Sequence, residues 1–217
     1  MSLILRAVTL QVAGKTLLSL PALEILPGQT VTLMGPSGSG KSSLIAALAG
    51  LAEPEVQLQG YAEINGEPIL SQNPESRRLG LLFQDALLFP HLSVAGNLAF
   101  GLPPGLSRQV RRHRVDAALA AMDLEGYGGR DPATLSGGQK ARIALGRTLL
   151  AEPRLLLLDE PFAKLDASLR QTIRTEVFTQ IEQHQLPALL VTHDPEDARQ
   201  AKGPVYEIQN QRLRRID

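Results

Sequence analysis

Apolar positions follow two patterns along this chain. The first third tends to alternate: "LILRAVTL" and "LLSLPALEIL" are apolar, partly alternating segments, as half-buried strands require. "YAEINGEPI" holds Asn65-Gly66 between two short extended runs, a pair that predicts a tight hairpin. Elsewhere the apolar runs are continuous. "TVTLMG", "LGLLFQ", "RLLLLDE" and "PALLVTH" have no polar side and predict strands buried on both faces. A helix is predicted from Lys41 to about Leu51, with Leu44, Ile45 and Leu48 on one face, and a longer one from about Ala167 to Gln185. From Leu88 to about Leu150 the pattern is helical, broken at Pro103-Pro104-Gly105 and between Gly126 and Pro132. "VYEIQNQRLRRI" predicts a closing pair of short strands.

Apolar strands alternating with helices predict an α/β fold around a mostly parallel sheet. The boundaries follow the changes of period. Residues 1–30 and 56–70 make an antiparallel β subdomain, 31–85 and 152–217 a core, and 86–151 an inserted α-helical subdomain. The 217 residues suffice for one sizeable domain with such an insertion.

Composition mainly excludes. There is no cysteine, so disulfides, zinc thiolates and a thiol nucleophile are ruled out. The formal net charge is +0, which offers no global field for nucleic acid or anionic lipid. Aromatics are 4% with no Trp, too few for a stacked-ring platform. The run Arg111-Arg112-His113-Arg114 shares its helix with Asp116 and reads as a solvated face. Arg6 interrupts "MSLILRAVTL", which does not read as a signal peptide, and no apolar run approaches the roughly 18 residues of a membrane span. These features predict a soluble, cytoplasmic protein.

Chemistry concentrates at strand ends. Gly35-Pro36-Ser37-Gly38-Ser39-Gly40-Lys41-Ser42 fits G-x-x-x-x-G-K-[ST], with a strand before it and a helix after it. Its glycines let backbone N–H groups turn inward around phosphates, and the helix presents its positive end to the same anion. Lys41 can reach β- and γ-phosphates, and the Ser42 hydroxyl can ligate Mg²⁺. "LLLLDEP" delivers two carboxylates at a strand end, Asp159 suited to the Mg²⁺ shell and Glu160 to polarising the attacking water. Gln84, after "LGLLF", can touch the metal shell or the lytic water, and His193 follows "PALLVT". Four strand ends thus converge on one predicted edge. "LSGGQKAR" from Leu135 to Arg142 opens another helix with paired glycines, a second anion-binding pattern.

In this order the motifs resemble the nucleotide-binding subunit of ATP-binding cassette (ABC) transporters, a match along nearly the whole chain. The resemblance implies a P-loop NTPase with a RecA-like core, binding and hydrolysing ATP with Mg²⁺, its cradle reaching Ser43. It implies a homodimer in the ATP-bound state, in which Ser136, Gly137, Gly138 and Gln139 cap the partner's nucleotide and Asp166 lies at the seam. The implied catalytic residues are Glu160, His193 and Gln84; the implied metal residues are Ser42, Gln84 and Asp159. Also implied are transmembrane permease subunits, coupled through "LLFPHLSVAGNLAFGL", a periplasmic substrate-binding protein, and residence on the inner face of the cell membrane. The layout is similar to importer ATPases for thiamine, ferric iron, sulfate, molybdate or polyamines. Two other readings stay open on the sequence: an export or lipid-extraction ATPase, and a non-transport ABC ATPase acting on DNA or ribosomes. No nucleic-acid partner is expected, since the chain has no heptad run and no basic surplus.

Two positions depart from the family's usual pattern. The loop after "LLLLDEP" usually reads Ser-Ala-Leu-Asp and here reads Ala163-Lys164-Leu165-Asp166, where the added lysine is expected to stand solvated. An aromatic near the N-terminus usually stacks on adenine; Val12 aligns there, and no Phe, Tyr or Trp precedes Tyr61. A stacked ring contributes roughly 1–3 kcal/mol, of which Val retains only part. Val12→Tyr is therefore expected to tighten ATP binding, measured by calorimetric titration; an unchanged affinity would refute the alignment of Val12 with the base.

Overall fold

A computed structural model describes residues 1–217, the side chain of Ser168 excepted. In chain order the elements are β1 (Leu3–Val12), β2 (Lys15–Ile25), β3 (Thr30–Met34), α1 (Lys41–Ala49), β4 (Val56–Ile64), β5 (Glu67–Pro68), α2 (Pro74–Arg77), β6 (Leu79–Phe83), α3 (Val94–Gly101), α4 (Arg108–Ala121), α5 (Gly137–Leu150), β7 (Leu155–Asp159), α6 (Ala167–Gln183), β8 (Ala188–Val191), α7 (Pro195–Ala201), β9 (Val205–Gln209) and β10 (Arg212–Arg215). They fall into two compact units. The first comprises Met1–Leu79, Arg154–Glu160 and Phe178–Asp217; the second comprises Gly80–Pro153 and Pro161–Val177.

In the first unit the strand order is β5-β4-β1-β2-β10-β9-β3-β8-β7. β1 and β2 pair antiparallel, burying Leu3, Leu5, Val8 and Leu10 against Leu18, Leu20, Leu23 and Ile25. The buried parity switches between Leu5 and Val8. Ala7 takes φ 48 there, and the β1–β4 register shifts between Arg6 and Thr9. This bulge is why alternation is only partial, and it needs Gly60, where a Cβ would lie 2.4 Å from the Ala7 carbonyl oxygen. Asn65 and Gly66 both take positive φ between β4 and β5, the tight hairpin expected. β3, β7 and β8 are parallel, with Ala188 opposite both Thr30 and Leu156. Apart from the last residues of β3 and β7, all their positions are buried, as continuous apolar runs demand. β9 joins β3 in parallel and β10 in antiparallel fashion, completing the α/β sheet.

α1 follows β3 and ends at Gly50, whose N–H reaches back to the Ala46 and Ala47 carbonyls. Arg77 also serves this end of the helix. This buried guanidinium donates to Ala47 O, Leu48 O, Leu70 O and Gln72 O, and burial pushes its pKa down.

The second unit packs α3, α4 and α5 around Val94, Leu98, Leu102, Val115, Leu119, Leu124, Leu135 and Ile143. Asn97 is fully buried on α3 and shapes the preceding loop. Its Oδ1 accepts from Phe89 N, and its Nδ2 donates to the carbonyls of Phe89, Leu92 and Ser93. The basic run of α4 is only partly the solvated face expected. Arg111 donates to the Ala99 and Pro103 carbonyls at the end of α3, and Arg114 pairs with Glu152 at 2.6 Å. Among the described residues, no helix is long and apolar enough to cross a membrane.

Replacing Arg77 by Met leaves four carbonyl oxygens without this donor. The expected loss is about 2–4 kcal/mol in denaturant unfolding. A stability equal to that of the native chain would show that water serves these carbonyls as well.

Candidate functional site

The site of the first unit lies where β3, β7 and β8 end together. Leu33 and Asp159 are both opposite Val191, so the chain leaves all three strands at one level. After β3 the loop turns through positive φ at Gly35, Gly38 and Gly40. Gly40 is the residue before α1; its φ is 91, and a Cβ there would sit 3.1 Å from Leu10. Lys41, first in the helix, is buried and folds back on the loop. Its Nζ donates to Gly35 O at 2.9 Å, Pro36 O at 2.8 Å and Ser39 Oγ at 3.4 Å. Burial lowers its pKa, while the charges of Glu160 and Asp159 act in the opposite sense.

Ser42 stands beside it and donates to Asp159 Oδ1 at 2.9 Å. Burial raises the Asp159 pKa; the Ser42 bond opposes this, Glu160 adds to it, and Lys41 opposes it. Glu160 has φ 48, uncommon for a residue with a side chain, while its N–H still bonds Val191 O at 2.9 Å. Backbone pairing thus runs one residue past β7. The Glu160 carboxylate lies 3.2 Å from His193 Nδ1. The turn carrying His193 is pinned by buried Thr192. Its hydroxyl donates to buried Asp197 at 2.6 Å and accepts from Asp194 N, and Asp194 in turn caps α7. Neither Thr192 nor Asp197 belongs to a motif. Only their spacing around the start of α7 could have drawn attention to them.

Five predicted residues therefore meet in the first unit: Lys41, Ser42, Asp159, Glu160 and His193. Ser42 and Asp159 offer a hydroxyl and a carboxylate, hard oxygen donors that suit Mg²⁺ when phosphate oxygens and water complete its shell. Among the described residues no group of three or more His, Cys, Asp or Glu forms a metal cage on its own.

With the rest of the loop 35–43 also in the first unit, the remaining predicted residues belong to the second. Gln84 follows β6 directly and, with Asp85, Lys164 and Leu165, lines a cavity of about 220 Å³. Ser136 caps α5. Its Oγ accepts from Gln139 N at 3.3 Å and its N–H donates to Gln139 Oε1 at 3.0 Å, a reciprocal capping box. Gly137 is exposed. Gly138 is buried against Leu169, where a Cβ would meet side-chain carbons at 2.3 Å. Asp166 accepts from Leu169 N at 3.0 Å and so caps α6. Lys164 is not simply solvated as expected. Its Nζ lies 2.6 Å from both carboxylate oxygens of Asp85.

The sequence profile described as "ABC transporter" matches residues 18–163. The chain is 39% identical over 221 residues to the sulfate/thiosulfate import ATP-binding protein CysA of Synechocystis sp., covering all of this chain and 60% of that relative. It is 44% identical over 195 residues to the uncharacterized ABC transporter ATP-binding protein YnjD of Escherichia coli, covering 90% of each. To the thiamine import ATP-binding protein ThiQ of Photobacterium profundum it is 43% identical over 189 residues, covering 86% of this chain and 77% of the relative. The chain thus spans 60% of that Synechocystis relative and 56% of the sulfate/thiosulfate import ATP-binding protein CysA of Gloeobacter violaceus, less than two thirds of either.

The raised pKa of Asp159 has a consequence for stability. A carboxyl group raised by burial stabilises the fold below its unfolded pKa, and that contribution is lost as pH rises through the folded value. At pH 7 the ionised group therefore opposes folding. Asp159→Asn, which keeps an acceptor for Ser42, is expected to raise the thermal midpoint of the nucleotide-free chain at pH 7. The gain should shrink as pH falls into the carboxylate range. A lowered midpoint at pH 7 would contradict this.

Proposed function

The chain belongs to the ABC transporter family, and on that premise we propose that it binds and hydrolyses ATP to drive the import of a small solute. The observation carrying this reading is the joined set Lys41, Ser42–Asp159 and Glu160–His193 at one sheet edge. Import is supported by the names of the sulfate, ferric-ion and thiamine relatives. Their printed cargoes differ, so the proposal extends to the class of small solutes.

Each residue has a task that follows from its surroundings. Backbone N–H groups from Ser37 to Ser43 and the start of α1 bind the phosphates. Lys41 exchanges its bonds to Gly35 O and Pro36 O for phosphate oxygens. Its partial desolvation strengthens that attraction. Ser42 and Asp159 would hold Mg²⁺, which neutralises charge on the phosphoryl oxygens. Glu160 orients the attacking water and takes its proton, and His193 holds the Glu160 carboxylate in place by donating from Nδ1. Gln84 serves the metal shell or the same water. Positioning and charge stabilisation carry the catalysis, because in-line phosphoryl transfer needs little else from the protein.

The second phosphate-binding pattern completes a site on a second copy of the chain. Ser136 to Gln139 open the 14-residue helix α5, and Gly137 is exposed at its tip. We assign them to the partner's nucleotide in a homodimer formed with ATP, with Asp166 at the seam. Permease subunits would dock near Leu87 and Phe100, which are large, apolar and exposed; the Phe100 ring lies tilted against Phe89, centroids 4.5 Å apart. The helical insertion 86–151 would pass motion to them, with a substrate-binding protein on the far side of the membrane. The subunit itself would then be cytoplasmic and peripheral to the membrane. Arg111 and Arg114 of the basic run are engaged within the unit rather than offered to DNA or ribosomes.

Glu160→Gln tests the assignment. It is expected to bind ATP as the native chain does, to sediment as a dimer with ATP, and to turn over about 10²–10⁴-fold more slowly. Turnover within threefold of native would defeat the role given to Glu160.

A further inference from the structure

The Lys164–Asp85 pair ties a lysine that departs from the loop's usual Ser-Ala-Leu-Asp to the neighbour of Gln84. Asp85 is the residue next to Gln84 as the chain leaves β6. Lys164 Nζ reaches both Asp85 oxygens at 2.6 Å, a short, charge-assisted and two-pronged contact. On the other flank Arg147 of α5 donates to Leu87 O at 3.0 Å and Ala86 O at 3.3 Å. The stretch from Asp85 to Leu87 is thus held by two cations from outside it. Lys164 also lies two positions before Asp166, whose carboxylate caps α6. The pair therefore joins the loop carrying Gln84 to the loop carrying Asp166, both of which flank the same cavity.

We propose that Lys164 is a positioning residue for Gln84, acting through its ion pair with Asp85. The inference rests on the reading of Gln84 as a residue that serves the attacking water or the metal shell. Lys164 touches neither; it narrows the range of backbone positions from which Gln84 works. Both partners are more than half exposed, at 52% and 61% of their side-chain surface, so water and salt screen the pair and its effect is modest.

The test uses the purified full chain with ATP and Mg²⁺. Lys164→Ala, at an exposed position, is expected to lower kcat two- to fivefold with KM for ATP unchanged. That equals about 0.4–1 kcal/mol at 1.4 kcal/mol per decade. Lys164→Arg should keep most of the rate, and the charge exchange Asp85→Lys with Lys164→Asp should recover part of it. Raising salt from about 0.05 to 0.5 M should slow the native chain more than Lys164→Ala. Gln84→Ala is the control and should fall at least as far. If Gln84→Ala turns over normally, the reading of Gln84 fails and the inference fails with it. If Gln84→Ala is slow while Lys164→Ala matches the native kcat and salt response, the inference alone is overturned.

Discussion

β3, β7 and β8 are each four or five residues long and almost wholly buried. Apolar on both faces, they align by their hydrogen-bonding register, with Thr30, Leu156 and Ala188 side by side. That register delivers Gly35, Glu160 and His193 to one level of one edge. A slip of one residue in β7 would shift both carboxylates one place along the edge and turn them to the opposite face, separating Ser42 from Asp159 and His193 from Glu160. The chemistry of the first unit thus depends on strands that carry almost no chemistry themselves.

At that edge the protein accepts unfavourable terms. Lys41 and Asp159 are both partly removed from water, and desolvation is the largest influence on each, lowering one pKa and raising the other. Glu160 adopts a backbone conformation that few residues with side chains take. The loop and the turn around these groups are in turn held by hydrogen bonds to carbonyls, to Ser39 and through Thr192 to Asp197. In the second unit the economy is different. Ser136 and Gln139 satisfy one another's backbone N–H groups while leaving Gly137 open, so the helix start is ordered by the same residues assigned to phosphate contact.

Much of this was legible in the residues. Continuous apolar runs marked the parallel strands, Asn65-Gly66 marked its hairpin, and strand-end motifs named Lys41, Ser42, Asp159, Glu160 and His193. What escaped were interactions between residues far apart in sequence. The break in alternation near Ala7 depends on Gly60, about fifty residues later. Arg77 ends a four-residue helix, and nothing local indicates that it will serve carbonyls of α1. Lys164 looked like one more surface cation because its partner, Asp85, lies 79 positions away. Arg111 was one of a basic run until α3 ended beside it. Periodicity reports which face is buried, and motifs report local chemistry; neither encodes which side chain will meet which distant carbonyl.

The loop from Phe89 to Ser93 shows what such a distant tie can allow. Asn97 binds only backbone atoms there, at Phe89, Leu92 and Ser93. The side chains of Pro90 and His91 take no part in those bonds. The outline of the loop is therefore inherited from α3, while the identity of its outward residues is left to vary. Such a division separates scaffold from surface: the amino acids displayed at positions 90 and 91 can be exchanged without rebuilding the path of the chain beneath them.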